Sequence, residues 1–436
     1  MKVFFRRIHL YLGLVSGLFL VIVCLTGSIL VFEKELEQSW HAERYFVEAA
    51  ATPRLSLAQI TEAVRTYKPK AKISGVKVYA DPTRSVEVSL AGAPGGPGGA
   101  GKGEQGGGGR SEGMNQQRGE GQKEGMRGQQ GEQRGEGQQG AAGGKGGPGG
   151  KGGRGGDNGP RVFVNPYTGA VLGEMNPRES FFHSVEQIHR GLVAGRIGKT
   201  VMGINSIIFL FILGTGLVLW WPTARRMFSQ RLTIKWGSSW KRLNHDFHIV
   251  LGFYSSLFLF IMALTGAGMS FDWVTKTINT LTHSPQQRPE PPTSTATGAG
   301  TPTMAADAVL AFARQQAPDA ESFSVQLPKE PTGSIRVAML RPGAPTENAT
   351  DEVYLDQYSG KILRQQAYAE RPAGQKIRGL FKPVHTGAIF GLPTKILAFI
   401  IVLLGATFPI TGTILWWNRT NKSKKKQQKP LAVALS

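Results

Sequence analysis

The chain has 436 residues, 40% of them hydrophobic, with a formal net charge of +21 and a single cysteine, Cys24. One cysteine, with no C-x-x-C or C-x-x-C-H sequence, excludes an internal disulfide, c-type haem attachment and cysteine-based zinc or iron–sulfur sites. The basic residues cluster beside apolar segments, which predicts contact with an anionic lipid bilayer and makes nucleic acid a poor partner.

Four apolar segments are long enough to cross a bilayer, since each has about 20 residues or more, the length that about 30 Å of hydrocarbon requires. They are Ile8–Phe32, Val201–Trp221, Ile249–Trp273 and Ile396–Trp417. The first runs into polar sequence with no small-x-small cleavage site close behind, so we expect an uncleaved anchor. The sequence therefore predicts an α-helical integral membrane protein with four transmembrane helices.

The placement of lysine and arginine predicts the orientation of these helices. Basic residues lie at the N-terminus, in the loop after the second segment and in the tail after the fourth. They are Lys2, Arg6, Arg7, Arg225, Arg226, Arg231, Lys235, Lys241, Arg242 and the run NRTNKSKKKQQK. With four helices all three regions share one side, so we expect both termini in the cytoplasm and residues 33–200 and 274–395 on the outer side.

The second half of the chain repeats the first. His9 and His248 each stand four residues before a glycine and 17 residues before a Thr-Gly pair, in VCLTGSILVF and MALTGAGMSF. His189 and His385 begin H-x-G-x-x-x-G segments, followed after 26 residues by Thr-Gly and after 31 by Trp-Trp, in GTGLVLWW and ITGTILWW. Both copies run in the same direction, which predicts a parallel duplication with a pseudo-two-fold axis along the membrane normal.

The outer segments repeat as well. LAQITEAVRTYKP and ADAVLAFARQQAP have helical spacing of apolar residues, and strands with Tyr-x-Gly hairpins follow each, which predicts two small α+β domains. The Gly- and Gln-rich block 91–159 has no counterpart and cannot bury a core, so we expect a disordered loop. It is either a tolerated insertion or a segment that binds cell wall or partners. Residues 284–303 read as a second linker.

These patterns predict the division of the chain. Its parts are a first membrane helix (1–32), a first outer domain (33–182) with the insert (91–159), a histidine segment with the second helix (183–222), a cytoplasmic loop (223–247), the third helix (248–273), a second outer domain (274–380), a histidine segment with the fourth helix (381–418) and a basic tail (419–436).

The repeated histidines are the candidate functional residues. His9 and His248 begin outward-going helices, and His189 and His385 precede inward-going ones, so the pseudo-axis can bring each pair together near one membrane face. Two neutral imidazoles facing each other across a flat gap are what the iron of a b-type haem requires. The alternative is four interface residues that duplication copied. The glycines that leave room for a macrocycle are Gly13, Gly252, Gly191, Gly195, Gly387 and Gly391.

Two haems are predicted, one for each pair, because 17 residues of helix span about 26 Å, too far for one macrocycle. His245, one turn before His248, and His183, six residues before His189, lack counterparts; each is either a replacement ligand or a polar neighbour. The Trp-Trp pairs are typical of an interfacial aromatic belt, with an electron path as the alternative. The Thr-Gly pairs indicate close helix packing or bending or, alternatively, contact with haem.

In combination, the H-x-x-x-G helices with their LTG phrase, the H-x-G-x-x-x-G segments and the TGxxLWW endings resemble the PepSY-associated transmembrane helix family, and YTGAVL and YSGKIL resemble PepSY domains. The resemblance spans nearly all of the chain except the insert and the tail. It implies the bacterial inner membrane, periplasmic outer domains and b-type haem. It further implies that electrons pass from a quinol or a cytoplasmic reductase to a ferric siderophore, whose reduction releases Fe(II).

Two other classes of function stay open. One is a non-enzymatic, membrane-tethered PepSY module that binds or regulates a peptidase, which haem content would distinguish. The other is a haem or metal transport component, which turnover with an Fe(II) trap would distinguish. No P-loop, HExxH or G-x-S-x-G motif is present, and no Gly-rich turn joins a strand to a helix as a dinucleotide site requires, so NAD(P)H is not a recognisable direct donor.

Overall fold

The structure is a computed structural model that describes residues 1–92, 159–295 and 301–433, with the backbone alone from 422 onward. Among these residues, four helices are long and apolar enough to cross a membrane: Lys2–Val31, Gly195–Trp220, Trp240–Ser270 and Leu392–Asn421. Large apolar side chains cover their outer surfaces; Val15 and Leu18, for example, are 71% and 69% exposed. The prediction of four membrane-crossing helices is confirmed by their length and composition.

The long helices pack around a square in chain order. They are α1 (Lys2–Val31), α6 (Gly195–Trp220), α8 with α9 (Trp240–Asp246 and Gly252–Ser270, joined by a π-helical turn at Phe247–Leu251) and α13 (Leu392–Val433). The α1 and α9 helices both contact α6 and α13, so α1 and α9 lie on one diagonal. Cys24, Val402 and Ala406 form a small apolar cluster inside this bundle.

The remaining helices are short. They are α2 (Glu33–Trp40), α3 (Ala42–Tyr45), α4 (Leu57–Tyr67), α5 (Phe181–Gly191), α7 (Met227–Leu232), α10 (Asp272–Leu281), α11 (Ala306–Gln316), α12 (Ala373–His385) and single 3₁₀ turns at Tyr368–Glu370 and Ala388–Phe390. The α5 and α12 helices directly precede α6 and α13 and carry one repeated histidine each.

The described strands form one antiparallel sheet of eight, in the order β4-β3-β2-β1-β5-β6-β7-β8. They are β1 (Ile73–Tyr79), β2 (Val86–Leu90), β3 (Arg161–Val164), β4 (Val171–Met175), β5 (Ser322–Gln326), β6 (Ser334–Leu340), β7 (Asp351–Asp356) and β8 (Ile362–Gln366). Each half contributes a four-strand meander, and β1 and β5 pair at the centre, with Val76 opposite Val325. Gly75 permits this junction, because a Cβ there would lie 2.8 Å from the Val325 carbonyl oxygen.

One face of the sheet is apolar and lies beneath α4 and α11. Alternate strand residues point into this core, and Val88 and Val337 are fully buried in it. The α4 helix begins at a capping box formed by Ser56 and Gln59. Asp307 of α11 accepts hydrogen bonds from the first two backbone N–H groups of α4, at 2.6 and 3.0 Å. The second half of the chain therefore caps a helix of the first.

The opposite face of the sheet carries buried charges. In the first half, Glu87 of β2 lies 3.6 Å from Arg161 of β3. In the second half, Arg336 of β6 lies 2.6 Å from Glu352 of β7. The two ion pairs hold corresponding positions in the two meanders, with the signs of the charges exchanged.

The structure differs from the predicted division in two places. The two outer units share one sheet, because separate meanders would leave the inner edges of β1 and β5 unpaired. The third long helix begins at Trp240, inside the predicted loop 223–247, and α13 continues through the predicted tail to Val433. Both helices extend into polar sequence that a hydropathy pattern does not detect. The predicted loop at 91–159 lies outside the described residues except at its ends.

Candidate functional site

The four repeated histidines form two pairs. His9 and His248, at the end of the bundle where α1 begins, have ring centroids 6.4 Å apart and ring planes at 89°. His189 of α5 and His385 of α12, at the end nearer the sheet, have centroids 6.1 Å apart and planes at 70°. We call these the terminus-side pair and the sheet-side pair. Each pair takes one histidine from each half of the chain.

Each histidine of the terminus-side pair contacts a Thr-Gly pair on a neighbouring helix. The Nδ1 atom of His9 lies 3.0 Å from the Thr215 hydroxyl and 3.1 Å from the Ile212 carbonyl oxygen, both on α6. The Nδ1 atom of His248 lies 2.8 Å from the Thr411 hydroxyl on α13. Each contact joins the two long helices of one half of the chain.

In the sheet-side pair, the histidines precede α6 and α13 and contact threonines on α1 and α9. His189 Nδ1 lies 3.1 Å from the Thr26 hydroxyl on α1, and His385 Nδ1 lies 3.1 Å from the Thr265 hydroxyl on α9. Each nitrogen also lies beside the carbonyl oxygen three residues before the threonine, at 3.1 Å for His189 and 2.9 Å for His385. All four Thr-Gly pairs therefore orient one histidine each.

These contacts assign the proton of each imidazole. Each threonine hydroxyl lies 2.7–3.0 Å from a carbonyl oxygen in the preceding turn of its own helix, so its single hydrogen is directed there. The carbonyl oxygens beside His9, His189 and His385 can only accept, so Nδ1 of these rings donates. For His248 the same assignment follows from the hydrogen of the Thr411 hydroxyl being directed to the Thr407 carbonyl oxygen. Nε2 keeps its lone pair, which is the state in which an imidazole ligates a metal through that nitrogen.

The spacing of both pairs fits one metal between two Nε2 atoms. Metal–imidazole bonds of about 2 Å, with about 1.2 Å from each ring centre to its nitrogen, separate the centroids of opposed ligands by about 6.4 Å. The measured separations are 6.4 and 6.1 Å. A haem macrocycle supplies its own four nitrogens, so two imidazoles complete the coordination of its iron. The spacing of the two rings in each pair therefore fits a haem that the two histidines would hold.

The glycine of each Thr-Gly pair lies against the histidine ring. A Cβ added to Gly27 would stand 3.1 Å from Cε1 of His189, and at the other three glycines the distance to the facing Cε1 is 3.2–3.3 Å. Such contacts are tighter than ordinary van der Waals packing. The threonine therefore holds the ring by a hydrogen bond, while the missing side chain of the glycine lets the ring approach.

A cavity of about 480 Å³ opens beside the terminus-side pair, within the range of about 300–1,000 Å³ that small-molecule sites occupy. Both histidines line it, and so do Gly13 and Gly252. A Cβ added to Gly13 would meet nothing within 4 Å. The space predicted beside these two glycines is therefore present, and most of its other lining residues are apolar.

The predicted glycines near the sheet-side pair lie where the chain turns from α5 into α6 and from α12 into α13. A Cβ on Gly191 would lie 3.0 Å from the backbone nitrogen of Lys199, where α5 packs against the start of α6. Gly195, Gly387 and Gly391 have φ values of +55°, +72° and +74°, which L side chains rarely adopt. The backbone at these three positions favours glycine whatever lies beside it, so the prediction that the glycines of this segment leave room for a macrocycle stays a prediction.

Burial keeps the sheet-side imidazoles neutral. Burial, together with the smaller effect of the neighbouring His385, lowers the pKa of His189 to about 4. Burial lowers the pKa of His385 as well. A neutral imidazole is the form that binds iron.

The two histidines without counterparts have different surroundings. His245 lines the cavity beside His248, and its Nδ1 lies 3.2 Å from a carboxylate oxygen of Asp246. His183 lies on α5, where it contacts Gln187 at 3.3 Å. The structure therefore places His245 at the terminus-side cavity, whereas the described contacts of His183 lie within α5. Whether either residue is a ligand or a polar neighbour stays a prediction.

Sequence reasoning missed the contacts between the threonines and the histidines. The signal was present, because the Thr-Gly pairs repeat at the same distances from the histidines in both halves. It also missed the buried Asp246, which is 2% exposed and pairs with Arg242 at 2.9 Å. A lone acidic residue in a basic loop carries no pattern that would identify it.

Comparison with known proteins covers nearly the whole chain. A family model described as "PepSY-associated TM region" matches residues 6–419, a range that includes both histidine pairs and all four Thr-Gly pairs. Comparison with curated proteins finds no match.

Proposed function

The chain belongs to the PepSY-associated transmembrane family, and from this premise we propose that it is a haem b-containing oxidoreductase of the bacterial inner membrane. It carries electrons across the bilayer to an acceptor on the periplasmic side. The acceptor is a ferric siderophore, and its one-electron reduction releases Fe(II), which such chelators bind far less tightly than Fe(III). The electron donor is a quinol or a cytoplasmic reductase.

The observation that carries this proposal is the geometry of the two histidine pairs. In both, the Nδ1 proton is engaged by a neighbouring helix and the two rings stand 6.1–6.4 Å apart. Duplication explains why the two halves match, but it does not explain why the pairs at the two ends of the bundle share one spacing. Two pairs, at opposite ends of 17 residues of helix, support two redox centres about 26 Å apart along the bundle.

The protein's own residues bind and orient in this proposal. A b-type haem, when bound, supplies reversible one-electron transfer at its iron. His9 and His248 hold the centre at the terminus side, and His189 and His385 hold the centre at the sheet side. The four threonines fix the ring orientations and make each Nε2 more basic, since a hydrogen-bonded Nδ1–H donates electron density to the ring.

The placement of charge supports the orientation. The basic residues at the N-terminus, in the loop after α6 and in the tail after α13 all lie at the end of the bundle that carries the terminus-side pair. By the positive-inside rule this charge supports a cytoplasmic location for this end of the bundle and, with it, a periplasmic location for the eight-stranded sheet. The shared element order and the strand order that repeats outward from β1 and β5 support a parallel duplication.

The first experiment is a dithionite-reduced minus oxidised absorption spectrum of the purified protein, with haem quantified per chain. We expect sharp b-type bands and about two haems per chain. Reduction of a ferric siderophore, followed with an Fe(II) trap, then tests the activity.

Any other haem content, or haem without reduction of a ferric chelate, favours a different function. Folded protein that was produced with haem available and yet contains none would overturn the redox proposal and favour a membrane-tethered PepSY binding module. One haem per chain would contradict a two-centre path across the membrane. Two haems without reduction of any ferric chelate would favour haem or metal transport.

A further inference from the structure

The cavity beside the terminus-side pair has two cationic residues in its lining. Of its described lining residues, the two that carry a fixed charge are Arg6 and Arg419, and no aspartate or glutamate is among them. Arg6 lies one turn before His9 on α1, and Arg419 lies on α13 beyond Trp416. The rest of the lining is largely apolar. The lining is therefore largely apolar, with its positive charge on the side towards the start of α1 and the far end of α13.

Both guanidinium groups are available to a ligand. Within the part of the chain whose side chains the structure describes, neither Arg6 nor Arg419 has a hydrogen bond, an ion pair or a ring contact. Arg242 differs, because it lies 2.9 Å from Asp246 and is already paired. His245 occupies in the second half the position that Arg6 occupies in the first, three residues before the ligand histidine, and it too contacts Asp246.

We propose that Arg6 and Arg419 bind the carboxylate groups of the planar macrocycle that His9 and His248 hold, an inference that rests on the proposed function. An ionised carboxylate left in the apolar part of the cavity would be strongly destabilised. The guanidinium fork matches a carboxylate with two parallel hydrogen bonds. The arginines thus determine which edge of the macrocycle faces the cytoplasm, and they add affinity that the histidines alone do not supply.

The two arginines therefore do more than set the topology of the membrane helices. Arg7 carries the same charge at the same helix terminus, yet it does not line the cavity. If the arginines only set the topology of the membrane helices, substitution of Arg6 and of Arg7 should have the same effect on macrocycle binding. A ligand-binding role predicts that Arg6 alone affects how the macrocycle binds.

The test is a binding comparison in a chain that keeps one site. His189→Ala with His385→Ala removes the sheet-side pair, and the purified apo-protein is titrated with ferric protoporphyrin and with its dimethyl ester, which lacks the charged carboxylates. We expect this parent to prefer the free acid by about ten- to a hundredfold, as loss of charge-assisted hydrogen bonds predicts. Adding Arg6→Gln and Arg419→Gln should abolish the preference, whereas Arg7→Gln should retain it.

The outcomes separate this inference from the proposed function. A parent that binds both porphyrins equally, or an arginine double variant that keeps the full preference, overturns the role of the arginines and leaves haem binding intact. A chain with all four histidines that binds neither porphyrin overturns the proposed function itself.

A second measurement tests the proposal even if the His189→Ala, His385→Ala chain does not fold. In the chain with all four histidines, redox titration of the Arg6→Gln, Arg419→Gln variant should lower the potential of one of the two haems, because a neighbouring cation favours the reduced state. The other haem should not change. Unchanged potentials at both haems, or equal shifts at both, would overturn the proposal.

Discussion

The two halves of the chain orient their histidines in the same way: each histidine donates to the threonine of a Thr-Gly pair on a neighbouring long helix of its own half. The sheet differs between the halves. The Glu87–Arg161 pair becomes Arg336–Glu352 with the charges exchanged, and Asn165 becomes Asp356 at the Tyr-x-Gly turn. The outer scaffold has diverged while preserving its shape, whereas the contacts around the imidazoles have kept both residue type and geometry.

The comparison shows where the chemical constraint lies. A buried ion pair needs opposite charges at two positions and is satisfied by either arrangement of sign. A metal-binding imidazole needs an acceptor at Nδ1, a close approach on one side and an opposed ring on the other. Substitutions in one half of the chain break this equivalence of the halves or measure how complete it is.

The largest effect should come from removing one ligand. His385→Ala leaves His189 without an opposed imidazole, so we expect the sheet-side haem and the reduction of the periplasmic acceptor to be lost. The terminus-side haem should remain, and haem content should fall from about two to about one per chain. His189→Ala should give the same result, because the halves contribute equally to each pair. Equal loss of both haems from folded protein would contradict this layout.

A smaller effect should come from the threonines. Thr411→Val removes the one side chain that Nδ1 of His248 contacts, and we expect haem affinity at the terminus side to fall about ten- to a hundredfold. Thr215→Val should lower this haem affinity less, because Nδ1 of His9 keeps the Ile212 carbonyl oxygen as an acceptor. The measurement is haem retention with the redox potential of each centre.

Thr407→Val is the matched control for the threonine series, because that hydroxyl is exposed and bonds within its own helix. Unchanged affinity and potential in Thr411→Val would show that the hydroxyl does not act on the ligand.

The glycines beside the rings should have a still smaller effect. Gly216→Ala places a methyl group 3.3 Å from Cε1 of His9, which forces the ring to shift by a few tenths of an ångström. We expect haem affinity at the terminus side to fall a few-fold. Gly214→Ala, two residues away with nothing within 4 Å, should leave haem binding unchanged and stabilise the helix by about 0.5–1 kcal/mol. Identical haem affinities in the two variants would exclude a role for the close approach.

The smallest effect on the two histidine pairs should come from substitutions at the Tyr-x-Gly turns of the sheet, where Asn165 in the first half corresponds to the charged Asp356 in the second. Backbone hydrogen bonds, first that from Ser359, lower the pKa of Asp356 from 3.8 to about 2. The folded state therefore binds fewer protons than the unfolded state in this interval, so this stability is present above about pH 4 and is lost as pH falls towards 2.

Exchanging the two turn residues tests this difference directly. Asp356→Asn should remove that part of the acid dependence of thermal unfolding, and Asn165→Asp should introduce one in the first half. Haem content should not change in either variant. Parallel pH profiles for both variants and the parent would show that the turn does not contribute.

Much of this arrangement could be predicted from residue order. The four membrane helices follow from the length of the apolar runs, and the duplication is indicated by the equal spacings of His9, His248, His189 and His385 from their Thr-Gly pairs. Helical spans and strand alternation are local properties, so a short stretch of sequence determines them. The pairing of histidines across the two halves was predictable only through the inferred symmetry.

The tertiary structure decided what depends on distant residues. The contacts of His9 with Thr215 and of His189 with Thr26 join positions 206 and 163 residues apart, and neither residue type alone indicates its partner. The union of β1 and β5 in one sheet and the cavity lined by Arg6 and Arg419 arise in the same way. Each depends on how helices and strands pack against one another, and packing is a property of the whole chain that no local pattern of residues records.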